Sequence, residues 1–134
     1  MTKVVYVTGC LGFIGSYITL KCLQKGWYVK GVDKITYASN RVLLEKFNEN
    51  PNFSFIKKDI NDLEFLYECD YVINTAAETH VGNSIVKSDD FIHSNINGVH
   101  HLLELIRNFL IEGLGCPTSR CIPSRSKSLL YTEK

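Results

Sequence analysis

Apolar residues in this chain fall into short blocks set apart by turn-forming residues, and their spacing within the blocks is of two kinds. Residues 3–8 (KVVYVT) are a β-branched run with little polar alternation, the pattern of a strand covered on both faces. Across 13–25, Ile14, Ile18, Cys22 and Leu23 recur at helical spacing, and Gly26 supplies the stop. WYVKGVD (27–33) predicts a second strand, 41–48 a short helix after the polar loop KITYASN, and FSFIKKD (53–59) a third strand. Asn61 and Glu64 stand three apart, as at the N-cap and N3 positions of a short capped helix. DYVINTA (70–76) predicts a fourth strand.

The longest helix is expected over 89–112, and its apolar positions form two stripes. Ile92, Ile96, Val99, Leu103, Ile106 and Leu110 make one; Phe91, Leu102, Leu105 and Phe109 make the other. So broad an apolar surface needs two partners: the sheet is one, and a neighbouring subunit's helix can be the other. Asp89 and Asp90, at the start, are expected as capping residues favoured by the helix dipole. Alternation of strands and helices predicts an α/β fold with a doubly wound parallel sheet.

Composition narrows the class without naming a function. The 134 residues suit one domain, carry a formal net charge of +1, and show neither the polarity of a disordered chain nor a basic patch for nucleic acid. No apolar run approaches the roughly 18–20 residues of a membrane span. The opening MTKVVYV has no charged segment leading into a signal-type apolar stretch, so a soluble, cytoplasmic protein is expected. Five scattered cysteines (Cys10, Cys22, Cys69, Cys116, Cys121) lack metal-site spacing and are expected as reduced packing residues, with no metal bound.

The candidate chemistry begins at Gly9, Gly12 and Gly15, which lie between the first strand and the first helix. A helix N-terminus offers free N–H groups and partial positive charge, and absent side chains let a diphosphate reach the backbone. One glycine makes the turn, another admits the diphosphate, and a third lets helix and strand pack closely. The spacing G-x-x-G-x-x-G is not that of a P-loop, which needs Gly-Lys-Ser/Thr. Taken alone, it also fits a merely tight turn. Asp33, ending the second strand, can accept from adenosine ribose hydroxyls and would repel a 2′-phosphate, favouring NAD over NADP, although Lys34 softens that discrimination. Asp59, ending the third strand, can face the adenine edge or simply begin a turn.

VTGCLGFIGSYI, DKITYASN, KKDIND and NTAAETHVGNSI occur in that order. Together they resemble the extended short-chain dehydrogenase/reductase superfamily and, within it, the nucleotide-sugar 4,6-dehydratases acting on dTDP-glucose. The resemblance runs from about Lys3 to Leu110. It implies a Rossmann-like fold, NAD as cofactor, a nucleotide-sugar substrate, and a homodimer formed through the helix at 89–112. It also implies that Phe13 and Ile14 line the diphosphate turn, and that Asp33, Lys34, Ile35 and Thr36 hold the adenosine end. Asp59 and Ile60 would flank the adenine, Thr75, Ala76 and Ala77 would border the nicotinamide-side ribose, and Thr79 and His80 would meet substrate or the nicotinamide end. Ser94 and Asn95 match a hydroxyl–amide pair of the family, Ser94 being assigned to the cofactor. His80 is expected as a hydrogen-bonded loop residue, not an acid or base.

Two departures stand out. Where the family carries an acidic–basic pair after AAETHV, this chain has Gly82 and Asn83. After the fourth strand no Thr-Asp-Glu and no Tyr-x-x-x-Lys follow, and Tyr131 and Lys134 are spaced one residue short. The sequence therefore predicts a cofactor-binding segment over 1–112, an atypical, poorly ordered tail over 113–134, and a sheet truncated after the fourth strand and long helix. No catalytic residue is assigned. The expected role is the NAD-binding portion of a nucleotide-sugar 4,6-dehydratase, inactive alone. A UDP-sugar epimerase, dehydratase or decarboxylase, and a non-catalytic NAD- or partner-binding module, are the alternatives. Such a segment is expected to be marginally stable as a monomer and to gain stability from dimerisation or cofactor.

Overall fold

A computed structural model describes residues 2–113; the expectations for the tail, for Cys116 and Cys121, and for Tyr131 and Lys134 lie outside them. Four parallel strands form one sheet in the order β3-β2-β1-β4: β1 (Val4–Thr8), β2 (Tyr28–Asp33), β3 (Phe53–Lys57) and β4 (Tyr71–Asn74). Helix α1 (Phe13–Gln24) joins β1 to β2, and α2 (Arg41–Asn48) joins β2 to β3. Both cover one face. The next connection crosses to the opposite edge, and the chain then continues through α3 (Val81–Val86), α4 (Ser88–Ile92) and α5 (Gly98–Gly113). This is the Rossmann-like α/β arrangement, and the strand order reverses between β1 and β4.

Alternation along β1 builds both cores. Val5 and Val7 pack with Leu11, Cys22, Leu23, Val29, Phe47 and Phe53 beneath α1 and α2. Tyr6 points to the other face, where Val32, Val72, Leu63, Leu66, Leu102 and Leu105 gather. Helix α1 ends as predicted: Gly26 takes φ +74°, its N–H donates to the Leu23 carbonyl at 2.9 Å, and the Trp27 N–H donates to the Cys22 carbonyl at 3.1 Å. Trp27 then stacks on Tyr71 with ring centroids 5.4 Å apart, joining the N-terminal ends of β2 and β4. Cys10, Cys22 and Cys69 are unpaired, and burial pushes the Cys69 thiol up to about 11.

Three local expectations are corrected. Asn61 does not cap a helix. Asp59 caps a single 3-10 turn (Ile60–Asp62), and the chain to residue 70 runs without regular structure, burying Leu63 and Leu66. The Asn61 amide is turned instead toward the Asp59 carboxylate and the His93 carbonyl. This stretch must pass beneath two strands to reach β4, roughly 14 Å of lateral travel, which an extended chain covers at less cost in residues than a helix. The loop after β4 contains helix α3, which the pattern did not single out. The long helix is interrupted: a π turn (His93–Asn97) separates α4 from α5. Lys87 holds the cap position of α4, while Asp89 and Asp90 lie in its first turn without capping hydrogen bonds.

Candidate dinucleotide-binding cleft

The carboxyl ends of β1 and β4, where the strand order reverses, border an open cleft beside the glycine turn; such switch points are where ligands bind in doubly wound sheets. The three glycines have different jobs. Gly9 adopts φ +68°, and a Cβ there would lie 2.8 Å from the Thr75 and Ala76 backbone. A Cβ on Gly15 would collide with the Gly9 carbonyl oxygen, so close packing of α1 against the turn requires that glycine. Gly12 is different. Its backbone is extended (φ −73°, ψ 175°), and a Cβ would meet only the Gly9 oxygen, at 3.3 Å. Packing within the protein requires Gly9 and Gly15; at Gly12 the contact is tight but milder, and the residue borders the cleft. Gly12 is also the N-cap of α1 and supplies no side-chain cap, so the helix end is left to an anionic ligand. This cradle fits a dinucleotide diphosphate.

The turn is tied to its surroundings at both sides. Thr75 donates through N–H and hydroxyl to the Thr8 carbonyl at 3.0 and 2.6 Å, and Thr8 donates to the buried Asn74 side chain. On the other side the Leu11 N–H donates to Asp33 Oδ2 at 3.1 Å, and the Asn40 N–H to the Leu11 carbonyl at 2.9 Å. Asp33 Oδ1 accepts from the Ile35 N–H at 2.8 Å and from the Ser39 hydroxyl at 3.0 Å. Asp33 is thus buried and fully oriented. Ile35 takes φ +58°, the left-handed region that a β-branched residue avoids, and turns its side chain to the core.

Asp59 anchors the far end of the cleft. Its carboxylate lies 3.5 Å from Lys34 Nζ and 3.6 Å from His93 Nε2. Burial would raise the Asp59 pKa, but the N–H and side-chain amide of Asn61, with Lys34 and His93, hold it below the ordinary value.

Of the residues expected to contact ligand, Gly9, Gly12, Asp33, Lys34, Thr36, Asp59, Ile60, Thr75, Ala76, Ala77 and Ser94 all border this cleft. Gly15 lies buried behind the turn. Phe13 and Ile14 border a separate groove between α1 and α2, leaving only their backbone at the helix end to face a ligand. Thr79 and His80 are exposed beyond the cleft, and the His80 ring meets Tyr37 at 5.5 Å.

Sequence reasoning passed over several contributors. Ser39, Lys58 and Glu78 also border the cleft. Asn95, noted only as half of a pair, clamps the Glu78 backbone, accepting from its N–H at 2.9 Å and donating to its carbonyl at 3.0 Å. Tyr17 and Lys21 do have Tyr-x-x-x-Lys spacing, but they lie on α1, with the ammonium 5.3 Å from the ring centre and Tyr17 on the groove between α1 and α2. That pair is a helix-surface contact.

Comparison with known proteins agrees with this geometry. A probable dTDP-glucose 4,6-dehydratase of Sinorhizobium fredii is 39% identical over 111 residues, covering 78% of this chain and 32% of the relative. The dTDP-glucose 4,6-dehydratase of Haemophilus influenzae is 38% identical over 112 residues, covering 78% and 33%. An Arabidopsis thaliana trifunctional enzyme that includes UDP-glucose 4,6-dehydratase is 36% identical over 110 residues, covering 76% and 17%. The chain spans about a third of the length of the bacterial relatives. Among solved structures, the dTDP-glucose 4,6-dehydratase DesIV of Streptomyces venezuelae, crystallised with NAD bound, superposes with a TM-score of 0.69 at 33% identity, covering 78% of this chain and 36% of that one. The Bacillus anthracis enzyme, also in complex with NAD, gives 0.67 at 29% identity, covering 81% and 34%. Residues 6–121 match the family model described as GDP-mannose 4,6 dehydratase, and the chain belongs to that family.

Proposed function

We propose that this chain is the NAD-binding portion of a dTDP-glucose 4,6-dehydratase-like protein of nucleotide-sugar metabolism. The observation that carries the reading is Gly12: an uncapped helix end that bears no side chain and borders the cleft. Backbone N–H groups at Phe13 and Ile14 receive the diphosphate, with Gly9 and Gly15 fixing the turn. Asp33 takes the adenosine ribose, within a loop shaped by Lys34, Ile35 and Thr36. Asp59 and Ile60 border the adenine. Thr75, Ala76, Ala77 and Ser94 line the nicotinamide side, and Thr79 and His80 face the sugar.

Bound NAD supplies a reversible hydride acceptor. The residues described here bind and orient it; no acid or base among them is assigned to the sugar. The whole protein's reaction, dTDP-glucose to dTDP-4-keto-6-deoxyglucose, is a lyase chemistry that in this family uses Thr-Asp-Glu and Tyr-x-x-x-Lys, and neither follows β4 here. The described residues hold the cofactor, in a cytoplasmic homodimer built on α4 and α5. A second reading, UDP-sugar as substrate, is favoured by the likeness to the Arabidopsis protein. Isotope-labelled dTDP-glucose and UDP-glucose binding would separate the two.

The test is calorimetric titration of the chain and of Gly12→Val with NAD⁺. The variant keeps an allowed backbone conformation but sets its Cβ 3.3 Å from the Gly9 carbonyl oxygen, so thermal melts without ligand accompany the titration, and the folded variant is expected to bind at least tenfold more weakly. Equal binding by both proteins would overturn the reading.

A further inference from the structure

This inference rests on the dinucleotide reading and concerns how the ribose is held. An ionised carboxylate offers about four acceptor positions. On Asp33 three are already used: two on Oδ1, by the Ile35 N–H and the Ser39 hydroxyl, and one on Oδ2, by the Leu11 N–H. A ribose presents two neighbouring hydroxyls, and only one position is open to them. Two of the three occupants cannot leave. The Leu11 N–H belongs to the glycine turn, and the Ile35 N–H is set by its left-handed backbone. Ser39 alone is a side chain that can rotate.

Ser39 is also fixed from its other side. Its oxygen accepts from the Thr36 N–H at 2.9 Å, which leaves its single proton for Asp33, and its own N–H donates to the Thr36 carbonyl at 3.1 Å. The residue borders the cleft beside Thr36 and Asp33. Its hydroxyl stands 3.0 Å from Oδ1, the place a ribose hydroxyl would take.

We infer that Ser39 is a specificity-determining residue for the dinucleotide: its hydroxyl occupies the second acceptor position on Asp33, so the carboxylate takes one ribose hydroxyl instead of two. Affinity then depends strongly on one of the 2′- and 3′-hydroxyls and weakly on the other. Removing the Ser39 hydroxyl opens Oδ1, and both become important.

The experiment titrates NAD⁺ and its 2′-deoxy- and 3′-deoxyadenosine analogues into the chain, Ser39→Ala and Ser39→Thr, with thermal melts of each protein. In the unsubstituted chain one analogue is expected to bind about tenfold more weakly than NAD⁺ and the other within threefold, as for loss of one hydrogen bond to a charged group. In Ser39→Ala both lose about tenfold and NAD⁺ itself binds more tightly. Ser39→Thr, which keeps the hydroxyl, retains the unsubstituted pattern and controls for disturbance of the loop. Equal losses from both analogues in the unsubstituted chain, or an unchanged pattern in folded Ser39→Ala, would overturn the inference and leave the dinucleotide reading intact. Absence of NAD⁺ binding by the folded, unsubstituted chain would overturn both.

Discussion

Asp59 illustrates how one side chain links architecture to the cleft. It caps the 3-10 turn through the Asn61 N–H at 3.0 Å, holds Lys34, and receives His93 from the π turn. Burial alone would raise its pKa, yet these donors and cations bring it below the ordinary 3.8. The folded state therefore binds this proton less readily than the unfolded chain. Its stabilising contribution is complete above the ordinary value and is lost as pH falls from there through the depressed one. Asp70 adds to the same window: its carboxylate accepts from the Val4 N–H at 2.8 Å and pairs with Lys3, and its pKa is likewise lowered, chiefly by that N–H. Urea midpoints are expected to drop as the pH falls below about 4, less steeply in Asp59→Asn, and least in the double variant with Asp70→Asn. Parallel slopes in all three proteins would remove both carboxylates from the account.

Among elements, the interrupted long helix does most to shape the site. The π turn places Ser94 at the cleft, sends Asn95 to the Glu78 backbone and brings His93 over Asp59. Just after it, Gly98 lets α5 approach the 3-10 turn so closely that a Cβ would strike the Ile60 side chain. Alanine is the better helix former, yet Gly98→Ala is expected to cost about 1–3 kcal/mol through overpacking. Because the obstacle is a side chain, Ile60→Ala makes room, and the double variant should be less destabilised than the sum by at least ~0.5 kcal/mol. Strict additivity in urea titrations would show that the contact is relieved elsewhere. These devices were hidden from the sequence, whereas the strands, α1, α2 and the glycine turn were legible from local pattern. Periodicity over 89–112 reads as one helix because a single extra residue in a π turn barely alters spacing. The Asn61–Glu64 pair obeys the capping rule, but the crossing to β4 and the pull of His93 decide its conformation. Ser39 looked like part of a polar loop, and only the folded loop brings it to Asp33.

At the scale of the molecule, the two predicted stripes separate only in part. Leu102 and Leu105 are buried against the sheet and Ile106 of the other stripe packs on the same core, while Ile92, Ile96 and Leu103 remain exposed, as do Ile85 and Val86 on α3. Exposed apolar residues along α4 and α5 suit association, and they support the proposed homodimer. Sedimentation is expected to show a dimer that Ile96→Lys or Leu103→Lys converts to monomer without loss of helical circular dichroism; a monomeric unsubstituted chain would sink the proposal. A different consequence follows from the Trp27–Tyr71 stack. Trp27 is the sole tryptophan of the sequence, and it sits at the opposite end of β2 from Asp33, about 20 Å away at roughly 3.3 Å per strand residue. Its fluorescence is therefore a built-in gauge of whether β2 and β4 are still assembled on either side of β1. Occupancy of the cleft need not alter its local surroundings, so emission records the integrity of the sheet as an optical channel separate from the chemistry at the other end.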